Sequence, residues 1–97
     1  MAIEIIISPR AEPDVDDAIN YYDGKRKGVG EKFYSDLLTT LTQIQKYTSS
    51  FAIRYSGIRS APLKKFHFPV HYIQIEKRVI VLAVLHTSMN PDKWPSV

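Results

Sequence analysis

The sequence predicts an α+β domain, a helical hairpin packed on a small antiparallel sheet in the order β-α-α-β-β-β. Three observations carry this. Between Pro13 and Tyr47, apolar residues recur every three or four positions, the period of helices with one buried face. At 3–7, and again from 52 to 86, the period drops to two, the period of strands. Ninety-seven residues, 44% hydrophobic and 24% charged, suit one core and a single domain spanning 1–97.

The first strand rests on Ile3, Ile5 and Ile7, which share a face, with Glu4 and Ile6 on the other. Ser8-Pro9 ends it, with Ser8 as a candidate helix cap and Pro9 suited to a first helical position. Pro13 would remove an internal hydrogen bond from a helix begun at Pro9. Either the first turn is irregular or the regular helix starts near Glu12-Pro13. Asp14, Asp16 and Asp17 then lie at the positive end of the helix dipole. Val15, Ala18, Ile19 and Tyr22 make its buried face. Gly24 and the run KRKGVG are expected to break it. A second helix follows over about 29–47, with Phe33, Leu37, Leu41 and Ile44 as its stripe and Tyr34 and Leu38 widening it. The short connection makes the helices antiparallel neighbours.

From Ala52 the pattern is extended. A short piece at 52–55 precedes the turn signal Ser56-Gly57. A strand is expected over 58–65, where Pro62 argues for an edge or a bulge. Another is expected over 68–76. The run VIVLAVLH at 79–86 is almost continuously apolar, as in a strand covered on both faces at the sheet centre. Glu76-Lys77-Arg78 joins these last two as a hairpin. Strand one is expected to join the sheet beside that hairpin. The helices would cover one face, leaving the other partly open with much of the basic charge.

Composition removes several chemistries. The chain has no cysteine, hence no disulfide, thiol catalysis or thiolate zinc site. The apolar N-terminal run is short and interrupted by Glu4, and no stretch reaches the length of a membrane span. The expectation is a cytoplasmic protein that does not engage membranes. No P-loop, nucleophile elbow or dinucleotide fingerprint is present, and no cofactor or metal is expected. His67 and His71 would project the same way from one strand, too few ligands for a metal site. His86 reads as a structural histidine.

The net charge of +3 is uneven. Residues 1–50 hold six Lys/Arg against eight Asp/Glu, a balance of −2, and residues 51–97 hold seven against two, a balance of +5. A basic half points to an anionic partner or to an ordinary solvated face. The cations and histidines concerned are Arg54, Arg59, Lys64, Lys65, His67, His71 and Arg78. Metal-free RNA cleavage needs a base, a phosphate-stabilising cation and an acid, which such residues can supply when brought together.

Three segments in order resemble the RelE/ParE superfamily, the toxins of type II toxin–antitoxin modules. ISPRAEPDVDDAINYYDGKRKGVGEKFYSDL is similar to the family's opening, with its Tyr-Tyr pair and G-x-x-F second helix. GIRSAPLKKFHFPVHYIQIE is similar to its R…L…F-P strand, and VIVLAVLHTSMNPDKW to its closing A-V-x-H-x-x-R-x-P-x-x-W. The resemblance implies the same β-α-α-β-β-β fold and a cognate antitoxin whose C-terminal segment masks the working surface. The toxin would be a homodimer or part of a toxin–antitoxin hetero-oligomer. RelE-like members cut mRNA in the ribosomal A site, and ParE-like members poison DNA gyrase by binding. For cutting, the resemblance points to Arg59, Lys64, Lys65 and His67. Met89, however, stands where that branch carries Arg, and the tail ends in Trp94, neither Tyr nor His. Tyr21-Tyr22 also resembles the ParE side. The expectation is a non-enzymatic ParE-like gyrase inhibitor, with Arg54, Arg59, Lys64, Lys65, Arg78 and Trp94 as partner-binding residues. An mRNA endonuclease and a toxin fold without toxicity are the alternatives.

Overall fold

A computed structural model describes residues 3–87 of the chain. The expectations for Met89 and Trp94 lie outside the described residues. The elements are β1 (Glu4–Ile7), α1 (Glu12–Lys25), α2 (Val29–Lys46), a 3-10 turn (Thr48–Ser50), β2 (Ile53–Tyr55), β3 (Ile58–Ala61), β4 (Val70–Ile75) and β5 (Arg78–Val84). No helix among the described residues is long and apolar enough to cross a membrane.

The strands form one sheet in the order β1-β5-β4-β3-β2. The last four make an antiparallel meander. β1 joins in parallel beside β5, with Ile5 opposite Val79 and Ile7 opposite Val81. A parallel pair needs a long crossover, and the helical hairpin begins it. The Glu4 N–H donates to the Lys77 carbonyl at 2.9 Å and the Ser8 N–H to the Val81 carbonyl at 3.1 Å.

The helices lie on one face. Val15 and Ala18 of α1 and Phe33, Leu37 and Ile44 of α2 pack with Val70, Tyr72, Val79, Val81 and Val84. Tyr72 is fully buried, and its hydroxyl donates to the Thr48 carbonyl at 2.6 Å, tying the 3-10 turn to the core. The helices meet at Gly30. A Cβ there would stand 2.6 Å from the Ile19 carbonyl oxygen, so only glycine allows this approach. The Gly30 N–H donates to the Asp23 carboxylate at 2.8 Å.

Three local expectations are corrected, and the start of α1 near Glu12-Pro13 is the alternative that holds. Ser8 does not cap α1 with its side chain: its carbonyl accepts the Ala11 and Glu12 N–H groups, and its Oγ has no partner. The helix begins at Glu12 with Pro13 in its first turn, where no intrahelical donor is lost. Gly24 lies inside α1, whereas the run KRKGVG does break it: α1 ends at Lys25, Arg26 is extended, and Gly28, whose φ of 91° is the left-handed region, precedes α2. β5 is not covered on both faces. Val79, Val81 and Val84 are buried against the helices, whereas Ile80 and Leu82 are only half-buried. The β4–β5 register slips between His71 and Tyr72, which pair with Ala83 and Val81, so Leu82 is bulged.

The open face also differs from expectation. Alternation along the strands places Ile6, Ile80 and Ile73 in one row across β1, β5 and β4. Its middle is therefore apolar, and among the described residues the basic side chains sit towards its ends. This accounts for the unbroken apolar run in β5: one half packs under the helices, the other in the isoleucine row.

Candidate functional site

β3 stops at Ala61 because Pro62 has no N–H to continue the ladder. The chain then loops over 62–69 before β4. This loop is held from α2. Asp36, within the helix's buried stripe and 8% exposed, accepts the Lys65 N–H at 2.8 Å and the Lys64 N–H at 3.4 Å. With the backbone pinned, Phe66 and Phe68 turn inward. Phe66 meets Tyr22 edge-on at 4.8 Å between ring centroids, and Phe68 meets Phe33 at 5.3 Å. Lys64, Lys65 and His67 remain exposed. A second tie, from the Thr87 N–H to the His67 carbonyl at 2.8 Å, joins the loop to the segment after β5.

These ties shape a cleft of about 460 Å³ at this end of the sheet. Its polar lining comes from Arg54, Ser50, Ser60, His67, His71, His86 and Thr87, and its apolar wall includes Phe51, Phe66 and Phe68. Among the described residues, no Asp or Glu lines it. His71 is buried at 3% exposure, with Nδ1 3.1 Å from the Tyr55 hydroxyl. Burial, and then the nearby Arg54 guanidinium, push its pKa below the usual 6.5, so its ring is neutral at pH 7. The His67 and His86 rings lie 6.4 Å apart, and His86 meets Phe68 edge-on at 5.1 Å. Among the described residues, no group of three or more His, Asp or Glu side chains is placed to hold a metal ion.

The predicted site residues do not form one patch. Arg54 and His67 line the cleft. Lys64 and Lys65 stand on its loop but not in its lining. Arg59 is engaged elsewhere: its guanidinium donates to the Phe51 carbonyl at 2.6 Å and the Ser49 carbonyl at 3.2 Å. It pairs with Tyr72 in register and so faces the helices, not the open face. Arg78 lies at the opposite end of β4, roughly 17 Å away along the strand. There it pairs with Glu4 at 3.2 Å, both side chains exposed. His67 and His71 do not share a strand, since β4 begins only at Val70.

Sequence reasoning missed Asp36, Tyr55 and the aromatic wall. Asp36 left one signal: a carboxylate between Phe33 and Leu37, beside the apolar stripe of α2. The Tyr55–His71 contact left none, because it depends on the β2–β3–β4 register.

The family described as ParE toxin of type II toxin-antitoxin system, parDE, matches residues 5–91. Among solved structures, a chain of the chromosomal ParDE TA system from P. aeruginosa superposes with a TM-score of 0.76 at 16% identity. The match covers 87% of this chain and 95% of that one. At this identity the likeness is one of fold. No curated protein matches the chain.

Proposed function

The chain belongs to the ParE toxin family of type II toxin–antitoxin systems, and from that premise we propose that it inhibits DNA gyrase by binding and is neutralised by a cognate antitoxin. The observation carrying this reading is the engagement of Arg59. Its guanidinium is held by the Phe51 and Ser49 carbonyls. Of the four residues a ribonuclease would draw on, only His67 lines the cleft. Cutting RNA requires base, acid and cation to converge on one phosphate. Binding requires only a complementary surface.

The same reading gives the antitoxin a place to bind. Ile6 and Ile75 are exposed large apolar side chains on the open face. Arg54 and Arg78 stand towards the ends of that surface. An amphipathic acidic segment that folds on binding suits this combination of apolar middle and basic ends.

The test separates the two targets. Purified chain is added to gyrase with relaxed plasmid and, in parallel, to a reconstituted translation reaction. Supercoiling is expected to fall while mRNA stays intact. Cuts in mRNA at the ribosomal A site, with supercoiling unchanged, would overturn the gyrase reading. No effect in either reaction, with unchanged growth on expression, would overturn an active toxin altogether.

A further inference from the structure

We propose that the cleft bordered by Arg54, His67, His71 and His86 is a binding site for one nucleoside monophosphate, a small-molecule ligand separate from the protein partners above. Three observations carry it.

The first is size. At about 460 Å³ the cleft falls within the ~300–1,000 Å³ of sites that hold one small organic molecule. It suits a single nucleotide, not a run of them.

The second is charge. Among the described residues no Asp or Glu lines the cleft, while Arg54 supplies a fixed positive charge and His67 a ring nitrogen. The neighbouring cleft at the start of α1 is lined by Asp14 and Asp17, so the two clefts differ in sign. An anion is therefore favoured in the first and disfavoured in the second. A guanidinium offers paired N–H donors to phosphate oxygens, and imidazole N–H groups add single donors.

The third is the aromatic wall of the same cleft. Phe51, Phe66 and Phe68 are half-buried and line the cleft. They are held by their neighbours in the core, so they present fixed ring surface at little entropic cost. Planar bases stack on such surfaces regardless of base identity. A ligand that uses both halves has a planar ring at one end and a phosphate at the other.

The binding reads out at the histidines, since all three line the cleft. The probes are AMP, UMP, adenosine and inorganic phosphate, followed by the side-chain NMR resonances of His67, His71 and His86 in the full chain. AMP and UMP are expected to move all three. Adenosine and phosphate, each carrying half of the ligand, are expected to bind at least tenfold more weakly. Arg54→Ala removes an exposed side chain and is expected to weaken AMP at least tenfold. His67→Gln provides a second variant, expected to weaken AMP with the Arg54 charge intact. Lack of any histidine response to AMP overturns the site. So does an AMP affinity unchanged in both variants. Phosphate binding as tightly as AMP overturns the aromatic half. An oligonucleotide such as hexa-adenylate binding more than tenfold tighter than AMP overturns the single-nucleotide reading in favour of a strand. None of these outcomes depends on whether gyrase is the target.

Discussion

Removing the Asp36 carboxylate tests the logic of the cleft most directly. Asp36→Ala deletes one good acceptor, the 2.8 Å bond from the Lys65 N–H, and one long one at 3.4 Å from Lys64. A hydrogen bond to a charged group contributes about 1.5–3 kcal/mol. The site is 8% exposed, so water replaces little of what is lost. Counting the long bond as a fraction, the expected cost is about 2 kcal/mol. For a domain of this size that lowers the melting temperature by roughly 8–16 °C. Asp36→Asn keeps one carbonyl acceptor but turns its amide donors towards the other N–H, so about half the loss is expected. Urea unfolding of the two variants and the parent measures all three. A loss below about 0.5 kcal/mol for Asp36→Ala, or equal losses in both variants, would refute the claim that this carboxylate pins the 62–69 loop.

Gly30→Ala is expected to destabilise the chain by about 1–3 kcal/mol, because the new methyl meets the Ile19 carbonyl and the Asp23 carboxylate. Gly24→Ala, with nothing within 4 Å and a helical backbone, is expected to be neutral or stabilising by up to about 1 kcal/mol, and equilibrium unfolding compares the pair. The depressed pKa of His71 makes the folded state bind fewer protons than the unfolded chain below pH 6.5. Its stability contribution is thus complete above 6.5 and lost as pH falls through the lower folded value. His71→Gln is expected to flatten that part of the stability–pH curve, and thermal melts from pH 7.5 to 5 check it. Arg59→Ala is expected to cost about 1 kcal/mol in stability, with gyrase inhibition per folded molecule unchanged. A loss of inhibition without loss of stability would return Arg59 to the binding surface.

The fold was legible because period and punctuation agree. The Phe33–Leu37–Leu41–Ile44 stripe predicts α2 unaided, and Glu76-Lys77-Arg78 predicts the final hairpin. What was not legible depended on competition between equivalent signals. Gly24 and Gly28 are both glycines near a helix end, and only the second takes the left-handed backbone. Ser8 has the chemistry of a cap, but its own carbonyl accepts the donors first. The cations failed differently. Their chain positions gave a basic half, yet alternation and the roughly 17 Å length of β4 scatter them over two faces and both ends of the sheet. Arg59 and Arg54 are close in sequence, and one braces the backbone while the other lines the cleft.

The parallel pairing of β1 with β5 bears on how the chain reaches this state. Every other strand pair joins neighbours in sequence, whereas Glu4 must find Arg78. Contacts that distant are costly to close and so form late. Until they do, β5 offers an open edge along RVIVLAV, a segment rich in β-branched residues with one charge and no proline. Such an edge recruits strands from other molecules. β1 is only four residues long, but it covers the most aggregation-prone edge of the sheet. Weakening it would show in the yield of soluble protein before it showed in the melting temperature.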